Sequence, residues 1–170
     1  MKRKLTLMLA LVLCGSTFFG CGESEAKTEA VTYSADYTAD ELKEFHSKKM
    51  ESVYSTFEEV KAEIAKWDSF SEPDQLVESL NVTVLVKIEE ILKMLEGIKT
   101  DSPEVTELKS MYVSAMETYK LGYSGINSAF ESGEDQEMYD AYAVLEEGVK
   151  LLEVYDEKLD ELSENYDLDI

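Results

Sequence analysis

The chain is poor in the residues on which most catalytic and metal-binding sites depend. Its 170 residues include one histidine, two cysteines, two prolines and one tryptophan. A carboxylate-bridged di-metal site in a helical bundle needs inward glutamates and two Glu-x-x-His pairs. The lone His46, with Lys43 three residues before it, cannot supply them. One histidine and no Gly-x-Ser-x-Gly turn leave no sign of a serine triad or a Cys–His pair. The segment Gly122-Tyr123-Ser124-Gly125 lacks the lysine of a phosphate-binding loop, and no stretch has the spacing of an EF-hand loop. The expectation is a protein without cofactor or metal, and not an enzyme.

Basic residues are scarce as well. Lysine and arginine number 16 against 37 acidic residues, a formal net charge of −21. Such a field repels nucleic acid and an anionic lipid surface. It also opposes self-association, so a monomer is expected, and it attracts a cationic partner.

Long apolar runs are missing with one exception. Met1-Lys2-Arg3-Lys4 opens the chain, and an apolar run follows from Leu5 to Phe19. At about 15 residues the run is short of the roughly 18 needed to span a bilayer, and a charged start followed by such a run reads as a removable signal peptide. It ends Phe18-Phe19-Gly20-Cys21. A small residue directly before a cysteine at that point resembles the bacterial lipobox, although Phe18 and Phe19 stand where that pattern favours Leu and Ala or Ser. The resemblance covers the leader alone. It implies lipidation of Cys21, cleavage after Gly20, and a protein held on the extracytoplasmic side of the cell membrane. Two acyl chains anchor stably, each buried CH₂ contributing about 0.8 kcal/mol. The leader carries three basic residues and no acidic one, so the mature part would hold 13 basic against 37 acidic residues, a net charge of −24. It would also hold no free thiol, since Cys14 leaves with the leader and Cys21 is acylated.

Residues 21–37 are small and polar without helical period and read as the lipidated cysteine and a flexible tether. Its root-mean-square span would be about 20–25 Å. The remainder, 38–170, reads as an acidic helical bundle. Thr38 and Glu41 have the spacing of a capping box. The seam His46, Met50, Val53, Phe57, Val60, Ile64, Trp67 then alternates gaps of four and three. Ser71 and Pro73 suggest the start of a second helix with the seam Leu76/Val77, Leu80, Val84, Ile88, Ile91, Leu95, Ile98. Its stretch Asn81 to Val86 is β-branched enough to suit a strand, but the flanking period favours helix. Pro103 opens a third helix with the seam Val105, Leu108, Tyr112, Ala115, Tyr119, Gly122, Ile126, Ala129. Its recurring small residues predict close helix approach or, alternatively, an unfilled cavity; Gly125 suggests a bend. After the turn Ser132-Gly133-Glu134, a fourth helix carries Met138, Tyr142, Leu145, Val149, Leu152, Tyr155, Leu159, Leu162 and Tyr166, with 167–170 frayed.

The fold expected is all-α, an antiparallel up-down-up-down four-helix bundle behind a signal peptide and tether, because short loops place consecutive helices antiparallel. A three-helix bundle with one broken helix is the rival. Among the tyrosines, Tyr54, Tyr123 and Tyr139 lie off the seams and are the surface candidates. One feature breaks a local rule. Asp156, Asp160 and Glu164 recur every fourth residue near the end of the fourth helix, with Glu153, Glu157 and Glu161 beside them. Like charges at that spacing repel, and a helix C-terminus favours cations. These six are the candidate docking residues for a basic protein or cell-envelope partner. The functional expectation is a membrane-tethered, non-catalytic interaction or accessory module, with a small-ligand or cation-binding bundle as the alternative.

Overall fold

The computed structural model describes residues 33–170. Cys21, the leader and most of the expected tether lie outside the described residues. Those described form helices, and no strand occurs among them. The elements are α1 (Ala35–Glu44), a π-helical turn (Phe45–Lys49), α2 (Glu51–Ile64), a 3₁₀ turn (Trp67–Ser69), α3 (Pro73–Ser79), a second π turn (Leu80–Val84), α4 (Leu85–Gly97), α5 (Pro103–Ser132) and α6 (Asp135–Asn165). No helix of the described residues is long and apolar enough to cross a membrane.

Caps fix most of the boundaries, and several differ from expectation. The Thr38–Glu41 capping box does not form. Ser34 caps α1 instead, its Oγ accepting from Tyr37 N at 3.2 Å, so the helix starts inside the expected tether. The Glu41 carboxylate, only 8 % exposed, accepts from the backbone N–H groups of Asp101 and Ser102 at 2.6 and 2.7 Å. It thus stabilises the N-terminus of α5, where exposed donors and the helix dipole favour an anion. Ser71 does not cap the second helix either; Glu72 and Gln75 form a reciprocal capping box there, with Pro73 in the first turn. Ser102 and Pro103 open α5 as expected. Gly133 ends it with φ +72°, a left-handed conformation that glycine adopts without steric cost. The end of α6 is not frayed. Leu168 N donates to Ser163 O at 2.9 Å and Asp167 N to Glu164 O at 3.3 Å, around a left-handed Asp167. That is a Schellman cap, and Leu168 and Ile170 pack against the core.

The two π turns reset the apolar register. In the first helical stretch the buried residues run Leu42, Phe45, Met50, Val53, Phe57, Val60. The step of five from Phe45 to Met50 is accommodated by the bond from Met50 N to Phe45 O at 2.9 Å. Phe45 therefore fills the core, and His46, expected on the seam, is half-buried. In the second stretch the β-branched segment is helical, and its π turn lets Leu80, Val84 and Ile88 face the core at successive intervals of four.

Pairwise contacts give the helix directions. Tyr112 meets Tyr155, Tyr119 meets Gly148, Gly122 meets Leu145 and Gly125 meets Ala141, so α5 and α6 run antiparallel. Lys87–Glu59 and Trp67–Ser79–Glu63 join α4 and α3 to α2 in the same antiparallel sense. Asn81–Asn127 and Lys120–Glu89 do so for the second stretch and α5. A Cβ at Gly122 would lie 2.5 Å from Leu145 Cδ2, and one at Gly125 would lie 2.9 Å from Ala141 Cβ. At Gly122 and Gly125 the space of the missing side chain is therefore taken by α6. Gly125 marks a close contact with Ala141 in a helix that runs unbroken past it.

Candidate functional site

All eight expected seam residues of α5 are buried, and Tyr123, expected at the surface, is buried with them. On α6 the expected seam is buried at Tyr155, Leu159 and Leu162 and fails, in the opposite sense, nearer the helix start. Tyr142 and Val149 are 52 % and 45 % exposed although both fall on the seam. The cause is packing geometry. α6 lies chiefly on α5. It meets α2 through the Tyr54 and Tyr155 hydroxyls, 2.5 Å apart. Beyond that clasp the apolar stripe of α6 faces an open groove between the two helices.

The groove measures about 670 Å³. Phe57, Lys61 and Ile64 of α2, with Ala65 just past its end, form one wall; Tyr142, Leu145, Glu146, Val149 and Leu152 of α6 form the other. Tyr119 and Tyr123 of α5 make the floor. An adjoining recess of about 240 Å³ lies toward the clasp and shares Phe57, Lys61 and Leu152. It adds His46, Tyr54, Glu58, Tyr112, Tyr155, Asp156 and Leu159. Aromatic packing makes the floor rigid: Phe57 packs on Tyr119 at 5.6 Å, Tyr119 stacks near Tyr123 at 6.1 Å, and Trp67 meets Tyr123 edge-on at 6.0 Å.

The rim is acidic. Glu58, Glu146 and Asp156 line the groove and recess, and Glu153 lies close enough to Tyr119 to raise its phenol pKa, after the larger effect of burial. Among the described residues Lys61 is the one cation lining either cavity; it pairs with Glu58 and sits 5.3 Å above the Phe57 ring. Burial pushes the Asp156 carboxyl above the usual carboxylate range, Asp160 adds to this, and Lys61 opposes it. Burial lowers the His46 imidazole and raises the phenols of Tyr112, Tyr123 and Tyr155. Those hydroxyls keep their protons throughout the physiological range and act as donors, not bases.

The chain matches no family model, no curated protein and no solved structure. Geometry alone therefore bears on function. Of the six expected docking residues, Asp156 lines the recess, while Glu161 is bonded to Lys158 at 3.1 Å. Asp160 neighbours Asp156, and all six residues are exposed. Among the described residues no group of three or more His, Cys, Asp or Glu is placed to hold a metal ion. The groove itself escaped the sequence reading because Tyr142 and Val149 have the period of core residues. Periodicity records which way a side chain faces, not whether a neighbour arrives.

Proposed function

We propose that the protein is a lipid-anchored extracytoplasmic binding module, a non-catalytic up-down-up-down four-helix bundle that engages a protein partner beside the membrane. The observation that carries the binding part is the open α2–α6 groove, apolar within and acidic at the rim. A seam left half-exposed on an otherwise filled core costs hydrophobic stabilisation of about 25 cal/mol per Å² left in water, which an occupant recovers. The anchoring part rests on the leader and on Gly20-Cys21, which resemble a lipobox. The helix directions and the short turns between the helices support the bundle topology. A second reading, capture of a small apolar or cationic molecule, draws on the groove volume of about 670 Å³, within the range of small-molecule sites.

Chemical crosslinking in the native membranes, with a Cys21→Ala variant alongside and mass-spectrometric identification, tests the reading. One specific partner, enriched with the parent chain and lost with the variant, is the expected result. Recovery of the parent chain as a free, unlipidated protein without enriched partner overturns it.

A further inference from the structure

The reading of a binding module leaves open what fills the groove, and the α6 wall identifies the chemistry. Tyr142, Val149 and Asp156 are seven residues apart and share one helix face. Glu146, Glu153 and Asp160 repeat seven apart along its flank. The acidic stripe near the end of α6 is thus the continuation of the apolar groove wall. From Tyr142 to Asp156 the wall covers 15 residues, about 21 Å or four turns. Apolar at its centre and anionic along its edge and far end, it complements an element with an apolar face bordered by cations.

We propose that the α2–α6 groove docks a basic amphipathic helix of a partner protein, whose apolar face rests on Tyr119, Tyr142, Val149 and Leu152 and whose lysines or arginines meet Glu146, Glu153 and Asp156. The proposal rests on the binding-module reading above and specifies its partner. The groove is open along its length, with Tyr142 and Val149 half in solvent. Small-molecule sites typically bury about 70–90 % of their ligand. A helix needs only one face covered, and grooves between helices receive such faces through anchors at i, i+3, i+4 and i+7. A second copy of this chain is disfavoured, since it would bring the same acidic rim against itself. An anionic lipid surface is repelled for the same reason.

The test is fluorescence anisotropy with the full chain and a labelled leucine–lysine peptide of about four turns, leucines at i, i+3, i+4 and i+7. Two control peptides carry the same composition in scrambled order and glutamate in place of lysine. Trp67, in contact with Tyr123 of the groove floor, gives an independent intrinsic signal. The amphipathic basic peptide is expected to bind at least about tenfold more tightly than either control, with affinity falling as salt rises. The double variant Tyr142→Gln, Val149→Gln should lose about tenfold in affinity, while Val86→Gln, exposed on α4, leaves it unchanged. Both sets of positions are solvent-exposed, so folding is not at stake, and circular dichroism checks it. Equal binding of the scrambled peptide, or an equal loss with Val86→Gln, shows unspecific charge attraction and overturns the proposal. Binding of dodecylammonium that is lost in the double variant, with no peptide binding, assigns the groove to a small amphiphile and also overturns it. A crosslinked partner that survives the double variant overturns this docking site while leaving the binding-module reading intact.

Discussion

Two carboxylates with opposite environments show how single residues set the stability of this bundle. Glu41 is buried, and its two oxygens accept from the Asp101 and Ser102 N–H groups. The residue links the latter half of α1 to the start of α5 across some sixty positions of sequence. Charge-assisted bonds of this kind are worth about 1.5–3 kcal/mol, and their loss leaves buried donors unpaired. Glu41→Ala is therefore expected to lower unfolding free energy by about 2–3 kcal/mol, with Glu41→Gln costing less, in chemical denaturation. A change within error would mean that water replaces the carboxylate at no cost. Asp156 behaves in reverse. Its folded-state pKa is raised by burial and by Asp160. The folded protein therefore holds that proton more tightly than the unfolded chain. The resulting stability is present below the unfolded-state pKa and is lost as pH rises through the folded value. At neutral pH the ionised carboxylate is a cost. Asp156→Asn should melt above the parent at pH 7, and the difference should shrink as pH falls toward about 4. A difference independent of pH would assign the effect to packing.

At the scale of elements, what was legible in the sequence depended on how many neighbours each helix has. α5 contacts α1, α4 and α6, so every residue on its seam is buried and Tyr123 beside the seam is too. α6 has one principal neighbour, and its seam is buried at Tyr155, Leu159 and Leu162 but left half in solvent at Tyr142 and Val149. Period alone carries the facing direction of a helix but not the approach of a third one. Caps were harder to read. Thr38 and Glu41 have the spacing of a local capping box, yet Glu41 serves a helix that begins far along the chain, and no local pattern encodes that choice. The π turns were invisible for a related reason: a five-residue step between apolar positions is an interruption until the neighbouring helices show which phase wins. The glycines of α5 offer a direct test of element packing. At Gly125 a methyl group would stand 2.9 Å from Ala141 Cβ, with no flexible tip to yield, and at Gly122 it would crowd Leu145. In an isolated helix Gly→Ala gains about 1 kcal/mol. Here overpacking, typically about 1–3 kcal/mol, opposes that gain. Gly125→Ala is expected to lower the melting temperature, whereas Gly97→Ala, with open space around it, should raise or preserve it. Equal effects at both positions would show that α5 and α6 can separate freely.

At the scale of the whole molecule, charge is the dominant unbalanced quantity. A residue count of 37 acids against 16 bases leaves a field that the six described ion pairs do little to offset, four of them joining residues three apart in sequence. Exposed pairs of that kind contribute about 0.2–1 kcal/mol each. The remaining repulsion is greatest along α6, where Asp156, Asp160 and Glu164 recur without an alternating cation and the helix C-terminus is itself negative. Salt screens this repulsion over about 10 Å at 0.1 M. The melting temperature should therefore climb as sodium chloride is added from low ionic strength, the reverse of a fold held by surface ion pairs. Asp160→Lys combined with Glu164→Lys should raise the melting temperature at low salt and flatten its rise with salt, because it relieves repulsion at its densest point. The same substitutions place cations beside Asp156 and should weaken the basic helical peptide in the groove. Stability and binding then move in opposite directions, as they do when charge is retained for a partner at the expense of the fold. If the variant is stabilised while peptide affinity stays unchanged, the acids beyond Asp156 serve solubility alone and the docking face ends at Asp156.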